Sequence, residues 1–95
     1  MSVKRGLTRQ RVRETPEYAG MVRRIIAAHG RRVGQADPED LAELVAMRGD
    51  LEAAIADGVR GLRAAGVSWA KIGRGLGISR QGAHAVWGWV EEGRR

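Results

Sequence analysis

The apolar positions of this chain fall into three runs, each with helical spacing. In the first, Tyr18, Met21, Val22, Ile25, Ile26 and His29 recur at three- and four-residue steps, with Arg23, Arg24, Arg31 and Arg32 elsewhere on the turn. That spacing gathers the apolar set onto one stripe of an amphipathic helix of about 15 residues. Thr15-Pro16-Glu17 supplies a start signal: Thr can cap, Pro is pre-set for the first helical position, and Glu favours the positive end of the helix. Glycines at 30 and 34 are expected to close it through the left-handed conformation.

The second run repeats this logic. Asp37-Pro38-Glu39-Asp40 offers a cap, a first-position proline and acids in the first turn; Leu41, Leu44, Val45, Arg48, Leu51, Ile55, Val59 and Leu62 then trace one seam. One long helix over 38–65 is the simplest expectation, with a break near Gly49 or Gly58 as the alternative and Gly61 a further weak point. Gly66 should terminate it, with Val67 placed to pack back.

The third run, residues 68–90, reads SWAKIGRGLGISRQGAHAVWGWV. Two short helices meeting at a tight corner need a small residue at their contact, a residue tolerant of positive φ in the turn, and inward apolar positions. Here Ser68 caps the first short helix, Ile72 and Leu76 face inward, and Gly73 is the small contact. Gly77 makes the turn and Ile78 plugs the space beneath it; Ser79 then caps the second helix, on which Ala83 and Val86 face inward. Trp69 is placed to cover the end of the core. Trp87 and Trp89, two positions apart on a helix, cannot both face inward, so one is expected in solvent.

Length and composition narrow the class. Ninety-five residues make room for one domain with a modest core, expected to span 15–95 behind a flexible basic arm at 1–14. Absence of Phe and 4% aromatic content leave the core to aliphatic residues and three Trp, which favours helices over sheets. The expected fold is therefore all-α: a small helical bundle in which one or two supporting helices carry a C-terminal helix-turn-helix at 68–90. With no cysteine, disulfides, thiolate metal sites and a Cys nucleophile are excluded. No apolar run reaches the roughly 18 residues that span a bilayer and no signal peptide is evident, so a cytoplasmic location is expected, at the nucleoid or in a host cell if the chain is phage-encoded.

The charge is unevenly spread. Residues 1–36 sum to +7, residues 37–58 to −6 and residues 59–95 to +5, for a net +6. A polyanion would be drawn to the two ends and repelled by the middle. In the arm, Lys4, Arg5, Arg9, Arg11 and Arg13 could follow a phosphate backbone or enter a minor groove, although a charged terminus with no target has the same composition.

The stretch 68–90 resembles the helix-turn-helix of sigma factor region 4 and of related small actinobacterial and phage regulators, through Ile72, Gly73, Leu76, Gly77, Ile78, Ala83 and Val86. The likeness is close over about 23 residues and is compatible with, but not identified by, the helices before it. It implies that residues 79–87 form a recognition helix in the major groove of double-stranded DNA. Outward Arg80 suits the paired acceptors of guanine and Gln81 suits adenine, with His84 a further base or phosphate contact. Ser79, Lys71 and Arg74 are placed to hold phosphates. Gly82 departs from the family pattern, which usually has a larger polar side chain there, so either the backbone comes close to DNA or a contact is missing.

A lone motif makes few base contacts; a homodimer through the long seam, or the basic arm, would add more. A competing expectation is a protein-interaction module that binds RNA polymerase, since sigma region 4 also does so, using the acidic stretch 37–57. An enzyme is not expected: no paired carboxylates, Ser/His/Asp set, P-loop or metal-ligand spacing is present, and His29 and His84 are the only two histidines. No cofactor, metal or small-molecule ligand is implied.

Overall fold

A computed structural model describes the backbone of residues 2–92 and the side chains of residues 15–92. The described chain is all-helical: α1 (Ser2–Val33), α2 (Asp40–Ala64), α3 (Trp69–Leu76), α4 (Arg80–Trp87) and the single turn α5 (Trp89–Glu92). Among the described residues no helix is long and apolar enough to cross a membrane. The chain forms two compact units, residues 1–45 and residues 46–95, which divide within α2.

In the first unit, α1 begins well before the Thr15-Pro16 start signal and runs through it, with Pro16 inside the helix. The expected flexible arm at 1–14 is helical from Ser2 onward; the side chains of Lys4, Arg5, Arg9, Arg11 and Arg13 lie outside the described residues. A proline here removes one backbone donor and weakens the helix without having to end it. The closing glycines also differ from expectation: only Gly66 and Gly77 have positive φ among the described residues, so α1 ends through ordinary turns, Gly34 N–H donating to Gly30 O and Gln35 N–H to Arg32 O. The apolar stripe of α1 recurs at the helical period as read, but Tyr18, Met21, Val22, Ile25 and Ile26 all remain exposed, and among the described side chains of α1 only Val33 is buried.

α2 is one helix with no break at Gly49 or Gly58. A turn precedes it, Asp40 N–H donating to Asp37 O and Leu41 N–H to Pro38 O, so the acidic start signal leads into the helix two residues early. The seam is buried only towards its C-terminal end, at Ala56 and Val59 with Ile55 packed beside them; Leu41, Val45, Leu51 and Leu62 are exposed. Gly66 closes α2 at φ +90°, with its N–H donating to Arg63 O and the Val67 N–H reaching back to Leu62 O, both at 3.0 Å. These two bonds satisfy carbonyls that the helix end leaves open.

The core lies in the second unit. Ala56 and Val59 of α2, Trp69 and Ile72 of α3, Ala83 and Trp87 of α4 and Val90 of α5 form one buried cluster, with Val67 packed against it. Three inward assignments from the sequence are corrected. Leu76 is 39% exposed because it lines an open apolar groove of about 420 Å³ with Ile55, Leu62 and Ile72, where Gly58 and Gly75 contribute no side chain. Val86 is 54% exposed because an eight-residue helix has one inward line, and Ala83 and Trp87 occupy it at a four-residue step. Ile78 is 43% exposed: it sits on the outside of the turn over Gly82 rather than beneath the corner. Of the tryptophan pair, Trp87 is buried and Trp89 is half in solvent, their rings 6.3 Å apart.

Gly73 is the tightest contact between α3 and the turn. A Cβ at this position would lie 2.8 Å from Ile78 O and 2.9 Å from Ser79 O, both backbone atoms that cannot swing aside. Gly73→Ala is expected to cost about 1–3 kcal/mol by overpacking, whereas Gly75→Ala, which meets open space in a helix, should be neutral or stabilising by up to about 1 kcal/mol. Urea denaturation of the two variants checks this; equal stability would show that the corner relaxes freely.

Candidate functional site

The corner between α3 and α4 is built from backbone hydrogen bonds. Ser68 caps α3, its Oγ accepting from the Lys71 N–H at 3.2 Å. Gly77, at φ +77°, ends the helix: its N–H donates to Arg74 O at 3.2 Å and the Ile78 N–H donates to Gly73 O at 2.8 Å. Two residues later Ser79 caps α4, its Oγ accepting from the Gly82 N–H at 2.9 Å. The sequence 77–79 thus stops one helix and starts the next within three residues, and the assignments of Gly73 to the contact, Gly77 to the turn and Ser68 and Ser79 to the caps all match the geometry.

This geometry exposes one side of α4. Arg80, Gln81, His84 and Ala85 are exposed and, with the edge of Trp69, line a shallow hollow of about 260 Å³. The three side chains expected to reach bases, Arg80, Gln81 and His84, are therefore brought to one face. Lys71 and Arg74 are exposed as expected, but Lys71 lines the apolar groove between α2 and α3 and neither lines the α4 hollow. Ser79 lies at the N-terminal end of α4, where its hydroxyl oxygen is engaged in capping and its O–H can still donate.

Gly82 has a reason inside the protein. A Cβ there would sit 3.2 Å from Ser79 Oγ and 3.8 Å from Ile78 Cβ, so a larger residue would crowd the capping hydroxyl. The site is therefore snug but not closed, since the nearest neighbours are side chains that can shift by a few tenths of an ångström.

Sequence reasoning missed the residues that anchor this face from behind. Trp69, buried, meets the His84 ring edge-on at 5.2 Å between centroids, so the core supports an outward-facing side chain directly. Over the same indole lies the Arg63 guanidinium, 5.0 Å from the ring centroid. Arg63 also pairs with Glu91 at 2.8 Å and donates to Val67 O at 3.0 Å, so one side chain of α2 ties together the 65–68 turn, α3 and α5. A three-way contact between positions 28 residues apart leaves no local trace; the only signal was an arginine near the end of an apolar seam. Gly88 was also passed over. A Cβ there would be 2.5 Å from His84 O and 3.2 Å from the imidazole, so glycine lets the chain turn into α5 beside His84.

Among the described residues no group of His, Asp or Glu is arranged to hold a metal ion. No family model, curated protein or solved structure matches the chain.

Ser79→Ala removes the side-chain acceptor of the first turn of α4 and is expected to destabilise the second unit by about 1 kcal/mol. Ser79→Asp, which keeps an acceptor and adds favourable charge at the helix N-terminus, should retain stability. Thermal melts of both variants distinguish the cap from a generic surface change, which would leave both unaltered.

Proposed function

We propose that this chain is a sequence-specific duplex DNA-binding protein that places α4 in the major groove, in the manner of the sigma region 4-like motif its sequence resembles. The observation that carries this reading is the shared face of Arg80, Gln81 and His84, held outward by a corner whose backbone has almost no slack. Arg80 has the paired donors that match guanine O6 and N7, and Gln81 has the donor and acceptor that match adenine N6 and N7. The Ala85 methyl at the floor of the hollow would suit the thymine methyl.

Phosphate contacts fall to residues flanking this face. Ser79 O–H and the positive dipole end of α4 suit a phosphate at the lip of the groove. Lys71 and Arg74 on α3 add positive charge to the same unit. As a binding protein rather than an enzyme, it would act as a transcriptional regulator at the chromosome, in the cytoplasm.

The test is selection of bound duplexes from a random pool, followed by titration of the enriched sequence and a scrambled one. Arg80→Ala and Gln81→Ala are each expected to reduce discrimination between the two by about 10- to 100-fold, corresponding to about 1–3 kcal/mol per base contact. Affinity for both duplexes should fall by orders of magnitude between about 50 and 200 mM salt. No enrichment from the pool, or unchanged discrimination in both variants, would overturn the proposal and favour the protein-binding alternative, in which RNA polymerase or another regulator is the target.

A further inference from the structure

Two long apolar stripes on this chain meet solvent. On α1, Tyr18, Met21, Val22, Ile25 and Ile26 are between 39% and 64% exposed; on α2, Leu41, Val45 and Leu51 are 52–60% exposed. Scattered exposed apolar residues are normal, but rows at helical spacing are faces made to be covered. Along the helix axis the stripes are comparable in length: from Tyr18 to Ile26 is about 12 Å and from Leu41 to Leu51 about 15 Å at the helical rise.

The two faces differ in charge. Residues 15–33 carry Arg23, Arg24, Arg31 and Arg32 against Glu17; residues 37–58 carry seven acids against Arg48. Arg32 borders the α1 stripe itself, where it lines a hollow of about 240 Å³ with Ile25, Ala28 and His29. At the helical period Asp40 borders the α2 stripe and Glu52 continues the Leu41–Val45 line beyond it, two acids against the one arginine, Arg48, that lies within the stripe. Pairing α1 with α1 would set arginines against arginines, and pairing α2 with α2 would set acids against acids. Pairing α1 with α2 brings opposite signs together around apolar rows of similar length.

We infer that the partner is a second copy of this chain, with α1 of each copy laid against the first half of α2 of the other. In a two-fold pairing each chain would supply both faces to the other, so that all four stripes are covered and the assembly closes as a dimer rather than growing. Each unpaired face would otherwise stay wet, and burial of several large aliphatic side chains per interface supplies the driving force. Opposite charges at the rim set the pairing and exclude the like-with-like arrangements. The dimer is a property of the protein alone and stands whether or not α4 binds DNA.

The experiment measures the solution mass of the full chain by sedimentation equilibrium at about 50 µM. The wild type is expected to have twice the chain mass. Arg23→Glu with Arg32→Glu in one variant, and Asp40→Lys with Glu52→Lys in another, should each weaken self-association at least tenfold. An equimolar mixture of the two variants, and a single chain bearing all four changes, should both recover the dimer, because each α1 then again faces an α2 of opposite sign. All eight stripe residues stay intact in these variants, and circular dichroism checks that they remain helical. A monomeric wild type, a charge variant whose mass is unchanged, or a mixture that stays monomeric would each overturn the inference.

Discussion

The second unit depends on how closely the backbone of residues 78–79 can approach α3. At Gly73 two carbonyl oxygens come within 3 Å of where a side chain would begin, and that approach is what lets the Ile78 N–H reach Gly73 O and close the helix. Glycine does two different jobs on either side of this corner. At 73 it provides space, and at 77 it provides the positive φ that turns the chain. With both in place, α4 leaves the corner in one direction, and its buried line of Ala83 and Trp87 falls on the core.

From that constraint the outward face of α4 follows. An eight-residue helix pinned at its start by the Ser79 cap and along one side by Trp87 has little freedom to roll, so Arg80, Gln81 and His84 share their orientation. Trp69 extends this rigidity outward, since its buried ring touches His84 on one side and carries Arg63 above it. The Arg63–Glu91 pair is partly exposed, so its electrostatic worth is of the order of 1 kcal/mol at most; its larger role is to bring α5 into register with α2.

Apolar surface is distributed unequally along the chain. The described core draws on residues 56–90, whereas the described apolar residues of α1 and those of the first half of α2 are mostly in solvent. The same segments carry the strongest charge contrast, basic before residue 36 and acidic after it. Helices with this combination are ordered by what they pack against more than by their own propensity, because glycines at 20, 30 and 49 each cost up to about 1 kcal/mol in a helix. A partner that covers both stripes would therefore stabilise the helices as well as hide their apolar faces.

Much of the architecture is local, and the sequence by itself determined it: helix periods, the Ser68 and Ser79 caps, the Gly66 and Gly77 stops and the glycine at the α3 contact all act within a few residues of where they are written. Exposed Arg80, Gln81 and His84 were legible for the same reason, since they fall off the inward line that Ala83 and Trp87 mark at a four-residue step. Tertiary structure alone decided which of several apolar residues at helical spacing became buried. Val86 is displaced by Ala83 and Trp87, which hold the inward line of an eight-residue helix, whereas Leu76 continues the line of Ile72 but ends over an open groove and Ile78 lies on the outer side of the turn. It also decided the anchoring of the α4 face by Arg63 and Trp69, and the need for Gly88. These depend on atoms brought together across 28 residues or packed to within 3.2 Å, and periodicity carries no information about either.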